Sequence, residues 1–219
     1  MLSDYSSRTA VFQLLNERSM KMMIERKPEI TGYRRVKLHD EARVSPMACV
    51  IGDVTLGKDV TVLPNASIRG DYGESIAVGE GTNVQEGASL HVDLGSPLRI
   101  GKRVIIGHNA TVHGCTIDDG ALIGMGAIIM NGAHVGEGAV IGAGALVPEG
   151  KVIEPYSVMV GLPAKQVRML TEEERRINDV DAQTYIDLGK RMEADGIVIS
   201  GANMPHNIPN ITVADETIG

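Results

Sequence analysis

His91, His108 and His113 are the residues of this chain best suited to chemistry. Neutral imidazole binds Zn2+ and its first-row neighbours. Three imidazoles with an open fourth position form the donor set of a catalytic zinc site, whereas a structural site is closed by a fourth protein ligand. Whether the three can meet is decided by the backbone that carries them.

That backbone has a six-residue rhythm. Aliphatic residues fall at Val44, Val50, Leu56, Val62 and Ile68, then after about four extra residues at Val78, Val84 and Leu90. After a second slip of similar size they resume at Ile100, Ile106 and Val112. After a one-residue contraction they continue at Ile117, Ile123, Ile129, Val135, Ile141, Val147 and Ile153. Glycine often follows, and a small residue often stands four places on, as at Ala110, Ala127, Ala133, Ala139 and Ala145. A period of six is neither helical nor plain strand alternation. It is a short strand plus a corner, repeated, which predicts a parallel β-helix. Three hexads make one triangular coil of about eighteen residues, so residues 44–160 give about six to seven coils.

On those coils His91 follows the inward Leu90 and His113 follows the inward Val112. One coil plus one slip separates them, so the two side chains should be neighbours on one face. His108 lies two places after Ile106, on the preceding face. From there to His113 an extended chain spans up to roughly 16 Å, while two nitrogens on one Zn2+ must lie within about 3.5 Å. One chain cannot close the triad at that reach. A neighbour packed around a three-fold axis can supply His108 to the His91/His113 pair.

At these residues the chain resembles a known family. Asn83-Val84-Gln85-Glu86-Gly87, Leu90-His91, Ile106-Gly107-His108 and Val112-His113-Gly114-Cys115 are similar to motifs of the γ-class carbonic anhydrases, especially the bacterial short-form members. Ile68-Arg69-Gly70-Asp71 resembles the family's earlier motif, and Gly161-Leu162-Pro163-Ala164-Lys165 its closing segment. The resemblance covers about residues 33–190. It implies a left-handed β-helix, against the usual crossover hand, and a homotrimer that converts CO2 to bicarbonate reversibly through metal-bound hydroxide at its subunit contacts. His91, His108 and His113 would be the metal ligands, His108 in trans. Gln85 and Asn83 would orient the hydroxide and substrate, and Arg69, Asp71 and Glu86 would form a polar network at the contact. Zn2+ is the expected metal, with Fe2+ or Co2+ as alternatives, and no organic cofactor is expected.

The chain departs from that family where protons would be handed on. Tyr72 stands where a relative carries glutamate, and the short loop from Val92 to Arg99 has Asp93 as its one acid. Met159 replaces a tyrosine of some short members, with Tyr156 nearby as a candidate substitute, and Glu86 stands where many relatives have Asp. Hydration limited by proton removal is therefore expected. Two other classes stay open: a hexapeptide acyltransferase or thioesterase-type accessory protein of CoA-ester catabolism, and a non-catalytic metal-binding assembly protein.

Composition narrows the remaining choices. A formal charge of −7 argues against nucleic-acid binding. Aromatics make up 3% of the chain and there is no Trp, as suits a narrow prism. No stretch reads as a membrane span or a cleavable leader, and two cysteines make no disulfide framework, so a cytoplasmic location is expected.

The expected organisation is an N-terminal helical extension over 1–32, the β-helix over 33–165, a C-terminal helix over 166–195 and an extended tail over 196–219. Residues 8–26 read as the first helix. In the second, over 172–194, Thr171 and Glu174 form a capping-box pattern, and Ile177, Val180, Thr184, Leu188 and Met192 line one face. His39, His134 and His206 are read as ordinary surface histidines, and Cys115 as a buried, inert thiol.

Overall fold

The computed structural model describes residues 36–205 and Ile211. The predicted helix over 8–26 and His206 lie outside the described residues. From Lys37–Leu38 to Ser157–Val160 the chain winds a left-handed parallel β-helix of short strands. One face has seven strands, the second nine and the third six, and strands of successive coils pair in parallel. Every aliphatic position of the rhythm, Val44 through Ile153, points into the prism, and none is more than 4% exposed. The small residues at Ala110, Ala127, Ala133, Ala139 and Ala145 are buried with them and turn the corners of the triangle.

The three departures from the rhythm stack at one corner. Residues 71–75 follow strand Ser67–Gly70, residues 92–97 follow Ser89–His91, and the shortened corner at 114–115 follows Thr111–His113. These strands are neighbours in register, with Arg69 opposite His91 and His91 opposite His113. The slips thus build loops directly beside the histidine pair and leave the aliphatic stack unbroken.

After the last coil the chain does not enter its helix at 166. Lys165–Met169 first runs back as a strand antiparallel to Ser157–Val160, where the sequence predicted helix. Helix α1, Glu172–Ala194, then starts at a capping box made by Thr171 and Glu174 and stops before Gly196, whose φ is +73°. Its predicted apolar stripe is not the packed one. Ile177, Val180 and Leu188 are exposed, whereas Ala182, Ile186 and Gly189 face the β-helix. The reason is closeness of approach: a Cβ on Gly189 would stand 2.3 Å from Thr61 Oγ1, and Ile186 already fills the space over Gly81. Only a stripe with a residue that small lets α1 lie on the sheet.

The tail returns to its own first coil. Ile199–Ser200 pairs antiparallel with Arg43–Val44, Gly201 N donates to Ala42 O at 2.7 Å, and Ile211 bridges to Val50. Val198, Met204 and Ile211 are buried against the coil's open end. An uncovered first coil would present unpaired backbone and aliphatic interior to other chains. No helix among the described residues is long and apolar enough to cross a membrane.

Candidate metal centre

His91 and His113 end paired strands and project outward side by side. His91 Nδ1 lies 3.0 Å from His113 Nε2, with ring centroids 5.0 Å apart. The far nitrogen of each ring also has company. His113 Nδ1 is 2.6 Å from Asn131 Oδ1, and Asn131 Nδ2 donates to Asp93 Oδ2 at 3.3 Å. His91 Nε2 lies 3.4 Å from Asp71 Oδ1 and 3.4 Å from Arg69 Nη2, while Arg69 Nε donates loosely to the same Asp71 oxygen at 3.4 Å. Burial first, then the Arg69 guanidinium and His113, holds His91 below the usual imidazole range, against an opposing pull from Asp71. The neutral form that metals require is therefore favoured here.

His108 belongs to a different cluster. It sits at the corner entering strand Thr111–His113, one full face away from that strand's end. Its Nδ1 is 2.7 Å from Glu86 Oε2, and its backbone N–H donates to Gln85 Oε1 at 3.2 Å. Gln85 Nε2 in turn donates to Asn83 Oδ1 at 3.2 Å, and both amides are buried. Asn83 Nδ2 is buried with no partner among the described residues. Gln85 and His108 open onto a groove of about 390 Å³ lined by Ile105, Leu122, Met125, Val140 and Tyr185 of α1.

The sequence-predicted residues thus fall into two halves. Arg69, Asp71, His91 and His113 form one, and Asn83, Gln85, Glu86 and His108 the other. Among the described residues no three His, Cys, Asp or Glu side chains of one chain converge as metal ligands would. The pair that does converge fits a metal: nitrogens sharing a tetrahedral Zn2+ sit about 3.3–3.5 Å apart, close to the 3.0 Å seen between the rings.

Several neighbours take roles that the sequence left open. Tyr156 does not serve the histidines. It lies at another corner, donates to Glu137 and carries the Arg175 guanidinium 4.0 Å over its ring. Tyr72 remains near the site, its ring 6.4 Å from His91. Cys115 is core, and burial pushes its thiol up to about 12. His39 accepts from the Glu41 N–H at 3.1 Å, and His134 pairs with Asp118 at 2.8 Å on an exposed face. Asn131 was missed. It stands next to Met130, which occupies on the following coil the place that His113 has on its own, so register counting could have found it.

Known proteins resemble this chain in its repeats and its fold. Residues 114–149 match the family described as bacterial transferase hexapeptide (six repeats). The chain is 40% identical over 157 residues to the carnitine operon protein CaiE of Citrobacter koseri, covering 72% of this chain and 79% of that one. It is 43% identical over 152 residues to a protein of Methanocaldococcus jannaschii named "Probable carbonic anhydrase", covering 69% of this chain and 95% of that one. Among solved structures, a hexapeptide transferase family protein from Anaplasma phagocytophilum superposes with a TM-score of 0.68 at 37% identity, over 71% of this chain and 91% of the other. Repeats, fold and similarity through the histidine-bearing coils agree, and the chain belongs to the γ-class carbonic anhydrase-like family of hexapeptide-repeat proteins.

Proposed function

We propose that the protein is a metal-dependent carbonic anhydrase-like enzyme, working in the cytoplasm as a homotrimer with CO2 and bicarbonate as its substrates. The observation that carries this reading is the split site: two imidazoles converge on one face while a third, with its own amide network, waits at another corner. The outward residues support the trimer. On the lower coils two faces turn apolar, with Leu122 and Val140 on one and Ile128 and Leu146 on the other. The remaining face shows Arg99, Thr116 and His134. Two different apolar faces on each protomer suit a head-to-tail contact that closes into a ring.

In that ring His91 and His113 of one protomer and His108 of its neighbour would hold Zn2+, with Fe2+ or Co2+ as alternative occupants. The metal supplies, when bound, a water acidified to near neutrality as the nucleophile for CO2. The chain's own groups do the rest. Asn131 holds His113 by Nδ1, leaving Nε2 free to ligate. Asn83 and the His108 N–H fix the Gln85 amide in place beside His108. Asn83 Nδ2, without a partner among the described residues, is a donor suited to a developing carbonate oxygen. Arg69 and Asp71 flank His91, and Glu86 steadies His108. The apolar groove suits an uncharged, weakly hydrated gas.

Proton removal is the slow part of this scheme, because Asp93 is already engaged by Asn131. A small imidazole-type buffer should then act as a mobile general base. Stopped-flow CO2 hydration on reduced, metal-replete protein should give a rate that rises with buffer concentration at fixed ionic strength. A fully metallated protein with no rate would sink the proposal. That outcome would favour an acyl-thioester reading, in which the same apolar groove leads an acyl chain toward His108.

A further inference from the structure

The loop made by the second slip has a use that its length alone does not reveal. Asp93 opens that loop and is held in place. Its Oδ1 accepts the Leu94 N–H at 2.9 Å, its carbonyl accepts from Ser96 N at 2.8 Å, and Gly95 N donates to Glu74 Oε1 at 3.0 Å in the loop of the coil before. The fixed Asp93 Oδ2 faces Asn131 Nδ2 at 3.3 Å. An ionised carboxylate only accepts, so the Asn131 amide must present its NH2 to Asp93 and its oxygen to His113. The oxygen at 2.6 Å can be satisfied only if His113 carries its proton on Nδ1. The Nε2 lone pair is then left toward His91, 3.0 Å away.

The contraction at the same corner makes this contact sterically possible. Gly114 has φ +47°, and a Cβ there would stand 2.5 Å from Asn131 Oδ1. Without a glycine at this shortened corner Asn131 could not reach His113.

We propose that Asp93 and Asn131 act as a positioning relay that locks His113 in its Nδ1-protonated tautomer and so presents Nε2 as a metal ligand. Asp93 is thereby an orienting carboxylate and not a proton shuttle. The relay rests on the proposed metal centre only for its use; the tautomer itself can be read in metal-free protein. Partners of this kind on ligand histidines typically govern 10–100-fold in metal affinity.

The test uses full-length protein labelled with 15N-histidine, wild type against Asn131→Leu and Asp93→Ala. Nitrogen shifts of His113 in metal-free protein should report one Nδ1-protonated tautomer in wild type. They should report a mixture in Asn131→Leu and Asp93→Ala. Zn2+ affinity, measured by chelator competition, should fall about 10–100-fold in both variants. An unchanged His113 tautomer in Asn131→Leu overturns the relay, as does an Nε2-protonated His113 in wild type. Should wild type bind no Zn2+ yet show the locked tautomer, the metal reading fails and the relay stands.

Discussion

The coils from Thr116 to Ile153 and the coils from Ser67 to His113 share one core and differ in everything outside it. The lower coils repeat without insertion, and their outward residues on two faces are apolar. The upper coils carry two slips and a contraction, all at one corner, and every polar group around His91 and His113 comes from that corner or from the strands that end there or pair with them. The inward series Ile68, Leu90 and Val112 is as buried as Ile123, Ile129 and Ile141. A repeat fold can therefore vary its chemistry without cost to its core, provided the irregularity falls in a corner.

Substitutions should separate the two regions. The largest effect on function is expected from His113→Ala or His91→Ala, which should abolish metal binding while the circular dichroism of the β-helix persists. Wholesale loss of strand signal would mean that these outward side chains hold up the fold after all. The largest effect on stability is expected in the regular region. Ile123→Ala removes a fully buried side chain and should cost about 2–5 kcal/mol in denaturant unfolding, with metal content per folded protein unchanged.

A finer contrast uses two glycines with positive φ. At Gly144, φ +66°, a Cβ meets nothing within 4 Å, so alanine should cost only the backbone strain of about 1–2 kcal/mol. At Gly114 the same strain is joined by the collision with Asn131. Gly114→Ala should therefore weaken metal binding as well as stability, and Gly144→Ala stability alone; equal metal affinities would remove the claim that the contracted corner serves the site. The smallest effect lies outside the coils. Hydrogen bonds from Arg168 first, and from the Thr171 N–H, hold the Glu174 carboxyl at about 2. A lowered carboxyl stabilises the capped start of α1 fully above about pH 4.5, its ordinary value, and the benefit is lost as pH falls toward about 2. Arg168→Ala should shift the acid fraying of α1 toward higher pH in helical ellipticity.

Much of this was legible in the sequence because a repeat multiplies its evidence. Each aliphatic position is checked by the others in the series, and register then makes His91 and His113 neighbours by counting. The capping box at Thr171 and Glu174 was legible because it is local. What failed to read was long-range. An apolar stripe on α1 is visible, but which stripe packs was decided by the approach of Gly189 to Thr61 across the fold. The strand Lys165–Met169 carries no outward signal of its own, since all its residues are exposed and its order comes from pairing with Ser157–Val160. Asn131 was missed because its role depends on Asp93, 38 residues away, which gives its amide a direction.

The central claim is that each metal centre joins His91 and His113 of one protomer to His108 of another, and mixing subunits tests it most directly. His108→Ala and His113→Ala variants, each inactive and metal-free alone, are unfolded together and refolded at equal ratio. A site shared in trans should recover about a quarter of the wild-type metal and CO2 hydration, because one contact in four pairs an intact His91/His113 face with an intact His108 corner under random assembly. Recovery of neither metal nor activity in mixed trimers whose mass and strand content match wild type would contradict it.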